Sequence, residues 1–392
     1  MAEAALFSKV YGCLLGGAVG DALGGPVELW STEKIRETYG NLDRFVPYDR
    51  EPSHHGQFGN ALGVYTDDTR LKHLLCRAIL NAGGRPRPGD IGHVLAAAYH
   101  HAPDGLHEGF VEEYYYKAIW GRDKVIFSGE PTNGAIMANS PLGLICACRP
   151  DEAYQLGFDL AFFTDGHAKT AAAMLVAAIA EAMRPGATVD GIVEAARAAH
   201  LRFARRREGD HWHTTPWRYD PNLKFLDEAL IIARRDRDVF AIREPLMDLL
   251  EWGHLFSESV HTLVVALSMF VAAEGDLRRS IIGAVMYGRD KDSYASVVGA
   301  LAGAFHGAEA IPAEWRQPVI EGNPEVDMRD LSLKLTELIA ADHRRLLADM
   351  TDLGTLLQPH LIDKDKRPCR TFRSFPTTPC VVCWNRLPVR SA

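Results

Sequence analysis

Apolar positions recur at three- and four-residue spacing over most of the chain, in segments rich in Ala and Leu. The spacing predicts helices near 8–24, 69–81, 90–101, 108–120, 151–161, 166–183, 188–206, 222–234, 258–273, 276–287, 292–307 and 329–349. Two-residue alternation of strand type is scarce and no run requires it, so the predicted fold class is all-α. Turn and breaker residues gather at 40–64, 83–89, 129–134 and 209–221. The first of these loops is long for a compact domain and stands directly before an acidic cluster, which makes it a candidate active-site loop. Nothing between the helical segments reads as a linker, and a single large domain is expected over 1–354. From 355 the chain turns rich in Pro, Thr, Arg and Cys without periodicity, so 355–392 is expected to be an irregular, poorly ordered tail.

Two of the predicted helices carry small residues every four positions: Gly12, Gly16, Gly20 and Gly24 in the first, and Ala295, Gly299, Gly303 and Gly307 in the segment at 292–307. Four glycines inside a helix cost roughly 3–4 kcal/mol against alanine. Close approach of packed helix backbones is the usual compensation. A membrane dimer motif is excluded for the first stripe, because Asp21 lies within it and the segment is too short to span a bilayer.

Composition narrows the partners. Lys and Arg total 43 against 51 Asp and Glu, a net charge of -8, which argues against a protein that coats nucleic acid. The basic run Arg205-Arg206-Arg207 ends a helical segment and reads as a solvated helix end. Charge interrupts every long apolar stretch and the N-terminus lacks a basic leader, so no membrane association and a cytoplasmic location are expected. Cys13, Cys76, Cys146 and Cys148 lie in apolar segments as small hydrophobes of a reducing compartment. Cys380 and Cys383 have zinc-ligand spacing, but no matching second pair succeeds them.

The chemistry concentrates in two acidic clusters. Thr66, Asp67 and Asp68 precede one apolar helix, and Asp290, Asp292 and Ser293 precede the second glycine-striped helix. Capping a helix start uses one side-chain oxygen, whereas each cluster brings two carboxylates and a hydroxyl. Adjacent carboxylates raise each other's pKa unless a cation intervenes. Lys291 cannot serve both aspartates, since neighbouring side chains on a helix diverge. A set of oxygens without histidine or thiol suits Mg²⁺ or Mn²⁺ rather than zinc. Two clusters could hold two such ions with a shared water, a good nucleophile near neutral pH.

GCLLGGAVGDALGGPVE, YTDDT, TNGAIMANSPLG, the histidine of TDGHAKTAAAMLVAAIA, and GRDKDSYASVVGALAGAFHG with Ile311-Pro312 and Trp315 after it occur in order. Over residues 9–315 this arrangement resembles the ADP-ribosylglycohydrolases, a family that includes the dinitrogenase-reductase-activating enzymes and crystallin-like relatives. The resemblance implies a compact orthogonal bundle of helices around a dimetal cleft. It implies that Thr66, Asp67 and Asp68 form one set of metal ligands and Asp290, Asp292 and Ser293 the other. Glu28 matches the glutamate that closes the first motif and faces metal or water. Asn133 and Gly134 match a loop that cradles phosphate through backbone N–H groups, and His167 a histidine near the bound diphosphate. Ser293 stands where threonine is usual and preserves a hydroxyl. Arg289 and Lys291 bring positive charge where the common pattern has glycine and threonine, which either weakens metal affinity or adds a phosphate contact. Asn139 comes after Met137-Ala138 where many relatives carry an arginine.

The resulting expectation is a hydrolase with two Mg²⁺ or Mn²⁺ ions that cleaves the bond at the anomeric carbon of an ADP-ribosyl group. Its substrate would be an ADP-ribose-like small molecule or an ADP-ribosylated protein. Glu28 would act as the base, and Asp104, in a loop after a helix, is a second acid/base candidate although a solvated loop residue fits it as well. Two alternatives stay open: hydrolysis of another ribosylated metabolite on the same fold, and a non-catalytic crystallin-like ADP-ribose-binding protein.

Overall fold

Apart from an isolated antiparallel bridge between Thr132 and Glu258, every regular element among the described residues is helical. The computed structural model describes residues 2–48, 61–101, 131–207, 221–251 and 256–361. The helices are α1 (Ala2–Gly24), α2 (Thr32–Tyr39), α3 (Asp67–Ala82), α4 (Pro88–His101), α5 (Gly134–Ala138), α6 (Ser140–Ile145), α7 (Pro150–Asp159) and α8 (Ala168–Ala182). They continue as α9 (Val189–Arg207), α10 (Asn222–Asp236), α11 (Arg243–Leu249), α12 (Ser259–Ala272), α13 (Leu277–Tyr287), α14 (Lys291–His306), α15 (Ala313–Gly322) and α16 (Met328–Leu361). No described helix is long and apolar enough to cross a membrane.

The segment predicted at 108–120 lies outside the described residues, and each of the other predicted segments is helical. Periodicity missed α2, α5, α6, α11 and α15, none longer than 10 residues. Helices of fewer than three turns leave little room for a periodic stripe to show, and a local signal can mark their start instead. The Ser31 hydroxyl, for example, accepts the Lys34 N–H at 3.1 Å and opens α2.

The core is built from helices buried on every side. All of α12 is buried, as is α14 from Lys291 to Ala304. α1 and α14 share the most extensive helix contact in the described chain. Their glycine stripes interdigitate in antiparallel register. A Cβ added to Gly12 would stand 2.5 Å from the Gly303 carbonyl oxygen, one on Gly16 2.4 Å from that of Gly299, and one on Gly20 2.0 Å from that of Ala295. At the end of the register, a Cβ on Gly24 would lie 2.5 Å from Asp292 Cα. No side chain fits between the two backbones, which is the compensation for so many helical glycines. The same register brings the chain leaving the C-terminus of α1, with Glu28, against the N-terminus of α14, with Asp290 and Asp292.

Residues 1–342 form one compact unit and 343–392 a second, the division falling within α16. The helix runs on to Leu361, past residue 355 where the sequence places the start of an irregular tail. Residues 362–392, with the remaining cysteines, lie outside the described residues. Cys13, Cys76 and Cys146 are free and buried, and Cys148 is free and half-buried.

Candidate metal centre

Glu28, Asp290 and Asp292 each bring a carboxylate oxygen to within 4.8 Å of the others. Glu28 is half-buried, and Asp290 and Asp292 are buried. Asp68 reaches the same cluster from α3. Its Oδ2 accepts the Ser293 hydroxyl at 3.1 Å, so a ligand candidate of the first cluster is hydrogen-bonded to one of the second. Its Oδ1 is buried without a hydrogen-bond partner. A buried orphaned carboxylate oxygen costs free energy unless a cation or an ordered water meets it.

Helix capping explains little of this arrangement. Thr66 does cap α3, its Oγ1 accepting the Asp68 N–H at 3.4 Å. Asp68 does not cap; it points to Ser293. Asp290 occupies the N-cap position of α14 but makes no capping bond. Its Oδ2 accepts instead from the Asn133 amide at 2.7 Å, and that amide also donates to Thr262 Oγ1 at 3.2 Å. Asp292 Oδ1 accepts the Ser293 N–H at 2.9 Å. Asp67 is half-buried in the first turn of α3. Capping thus accounts for Thr66 and leaves the carboxylates to another purpose.

The turn bearing Thr66, Asp67 and Asp68 is held by Asp21, whose sequence signal is a single acid within the apolar, glycine-striped half of α1. Asp21 is fully buried. Its Oδ1 accepts the Thr66 N–H at 2.9 Å, and its Oδ2 accepts the Thr69 N–H at 3.0 Å and the Thr69 hydroxyl at 2.6 Å. Beneath it Lys72, also buried, donates to the Ser296 hydroxyl and so ties α3 to α14.

Electrostatics point the same way. Burial, and then the neighbouring Asp292 carboxylate, push both Asp68 and Asp290 well above the usual carboxylate range. Asp21 is raised for the same two reasons, with Lys72 opposing. Crowded buried carboxylates bind protons or a cation. Lys291 lies at the centre of this charge, yet its Nζ turns to backbone, donating to the Trp30 carbonyl at 2.5 Å and the Arg289 carbonyl at 3.3 Å. The Lys291 ammonium is thus hydrogen-bonded to backbone carbonyls while it lies in the field of Asp292, Glu28 and Asp290. Arg289 adopts φ 54°, a left-handed conformation that suits the glycine of the common pattern better than a side chain. Four buried aspartates and a half-buried glutamate, with an orphaned oxygen and no sulfur or imidazole among them, fit a hard divalent cation.

Asn133 and Gly134 stand at the start of α5. The Asn133 N–H donates to the Ser257 carbonyl at 2.8 Å, so both its main-chain and side-chain donors are engaged within the protein. His167 precedes α8, and its Nε2 lies 3.0 Å from Glu258 Oε1. Buried Glu258 was not anticipated from sequence. It bridges Thr132 through the backbone, and its carbonyl accepts the Thr262 hydroxyl at 3.3 Å, so His167 and Asp290 are joined through Glu258, Thr262 and Asn133. Asp104 lies outside the described residues.

Comparison with known proteins gives the family and the fold. The sequence model of the ADP-ribosylglycohydrolase family matches residues 2–346. The chain is 27% identical over 314 residues to the protein YegU of Escherichia coli K12, covering 77% of this chain and 89% of that one. It is 24% identical over 355 residues to the ADP-ribosylhydrolase ARH3 of Mus musculus, covering 83% and 91%. Among solved structures it resembles an ADP-ribosylglycohydrolase-related protein complex, with a TM-score of 0.58 and 24% identity, over 86% of this chain and 100% of that one.

Proposed function

This chain belongs to the ADP-ribosylglycohydrolase family, and on that premise we propose that it is a divalent-cation-dependent hydrolase cleaving the bond at the anomeric carbon of an ADP-ribosyl group on a protein or small conjugate. The observation that carries the reading is the convergence of Glu28, Asp290 and Asp292 beside the orphaned Asp68 Oδ1. Thr66, Asp67, Asp68, Asp290, Asp292 and Ser293 would hold two Mg²⁺ or Mn²⁺ ions. When bound, such ions supply Lewis acidity at ribose hydroxyls and at an attacking water.

The protein's own groups have distinct tasks in this scheme. Glu28, the carboxylate of the cluster closest to solvent, takes the proton from the water. As the leaving group departs, positive charge develops on the ribose, and the aspartates stabilise it across a short, water-poor distance. Asn133 holds Asp290 in place. With its N–H committed to Ser257, recognition of the diphosphate is assigned to the Gly134 end of α5 and to His167, which Glu258 orients. The three positioning bonds of Asp21 hold the start of α3, with Thr66 and Thr69, against α1.

The test is calorimetry of ADP-ribose binding with and without Mg²⁺, on the wild type and on Asp67→Ala/Asp292→Ala, and then a panel of ADP-ribosyl conjugates of different linkage. Cation-dependent binding that the double variant loses supports the reading. Absence of binding with either Mg²⁺ or Mn²⁺ would refute the dimetal site, and activity confined to conjugates without ADP-ribose would refute the substrate class.

A further inference from the structure

We propose that Lys291 is a positioning residue that tethers the Glu28-bearing segment to the start of α14 and so holds the Glu28 carboxylate against Asp290 and Asp292. The proposal rests on the reading of those three carboxylates as cation ligands. Its physical basis is the path of the chain between Gly24 and Trp30. One end of that path is fixed by backbone contact, Gly24 against Asp292 Cα. Glu28 then leaves the 3-10 turn Gly25–Val27, and its side chain must find the cluster from a short exposed stretch in which Leu29 is 70% exposed. At the far end the Trp30 ring packs against the core, but ring packing alone does not fix the backbone of the stretch relative to α14, which takes a polar anchor.

Lys291 supplies that anchor. Its side chain has no exposed surface, and Nζ donates to the Trp30 carbonyl at 2.5 Å and to the Arg289 carbonyl at 3.3 Å. Burying an ammonium is costly unless it is hydrogen-bonded, and here the acceptors are backbone carbonyls from two different segments. One belongs to the turn that presents Asp290 and the other lies two residues beyond Glu28. Trp30 is secured from its other side as well. Its ring stacks on Tyr39 at 6.0 Å between centroids, with Lys34 Nζ 3.5 Å from the ring centroid. The Trp30 N–H closes the turn by donating to the carbonyls of Val27 and Glu28. With Trp30 fixed, only a few dihedrals remain for Glu28, and Lys291 sets the relation between that turn and α14. This gives a role to a lysine that stands inside an acidic cluster yet hydrogen-bonds to backbone carbonyls.

Hydrogen–deuterium exchange of the cation-free protein tests the tether directly, and Mg²⁺ calorimetry tests its consequence. Lys291→Met keeps the length and removes the donors; Lys291→Gln retains an N–H donor. The expected result for Lys291→Met is exchange in residues 25–31 faster by about tenfold or more, unchanged exchange in α8, and Mg²⁺ affinity weaker by about tenfold. Lys291→Gln should recover most of the protection. The proposal is overturned if exchange at 25–31 does not change in the Met variant, if it rises equally in α8, or if Gln behaves as Met does. Should the Met variant not fold, the wild type still decides: a Trp30 amide that exchanges about a hundredfold faster than the first turn of α14 contradicts a tether. A wild type that binds no Mg²⁺ or Mn²⁺ overturns the proposed function, while the exchange comparison still answers for Lys291.

Discussion

Replacing Gly303 by alanine should destabilise the protein, although alanine is the better helix former. Gly303 lies in the last turn of α14, where the change alone would gain at most about 1 kcal/mol from helix propensity. The added Cβ would stand 1.9 Å from the Gly12 carbonyl oxygen and 2.5 Å from its carbon. Ordinary contact begins near 3.4 Å, so the axes of α1 and α14 must part by more than an ångström. The obstacle is backbone, which cannot rotate aside as a side chain would. Overpacking of a tight core costs about 1–3 kcal/mol when neighbours can adjust. Here they cannot, so the net loss should be about 2 kcal/mol or more after the propensity gain. Gly354, in α16, has nothing within 4 Å of a built Cβ, and the same substitution there should be neutral or slightly stabilising. Urea unfolding monitored by far-ultraviolet circular dichroism measures both. A Gly303→Ala variant as stable as the wild type would refute the backbone-contact account of the glycine stripe. Because the same register places Glu28 beside Asp292, the variant should also lose Mg²⁺ affinity, whereas Gly354→Ala should not.

Asp21→Asn keeps the shape of the side chain but turns an amide N–H₂ toward the Thr66 or the Thr69 N–H. Loss of one or two bonds to a charged acceptor should cost about 2–4 kcal/mol and weaken cation binding, read by thermal unfolding and calorimetry, and a fully stable variant would contradict the assigned role. Burial, aided by Lys72 and Arg70, lowers the pKa of His73 to about 3. The native state therefore keeps this imidazole neutral while the unfolded chain protonates it below about pH 6.5. The stability tied to His73 is complete above that pH and is lost as pH falls from there toward 3. Between about pH 6.5 and 4.5 the loss should be about 2–3 kcal/mol. His73→Phe should flatten that part of the stability–pH curve relative to the wild type, and parallel curves would show that His73 titrates normally.

Much of the architecture was legible from local chemistry. Three-to-four spacing located the long helices, because a helix that buries a face must repeat with its own turn. It was silent on α5 and α6, which are too short to repeat and which sit within the loop and motif region around Asn133. The candidate site was legible as two acidic clusters because capping needs fewer oxygens than they offer. Asp21 and Glu258 were not singled out as site residues. Each is one carboxylate in an apolar helix or at its start, and what gives it meaning is its partner: Thr66 and Thr69 for Asp21, His167 for Glu258.

Lys291 shows the division most clearly. The sequence placed a cation between two aspartates and allowed it to bear on metal or phosphate; the fold sent its ammonium to the Trp30 carbonyl, 261 positions away along the chain. What the sequence determined by itself was therefore what each segment can do alone: form a helix, cap it, concentrate carboxylates, leave room for a backbone. What only the tertiary structure decided was which of these meet. The antiparallel register of α1 and α14, set by steric contact between glycines far apart in the chain, brings Glu28 to Asp292 and makes one centre of separate clusters.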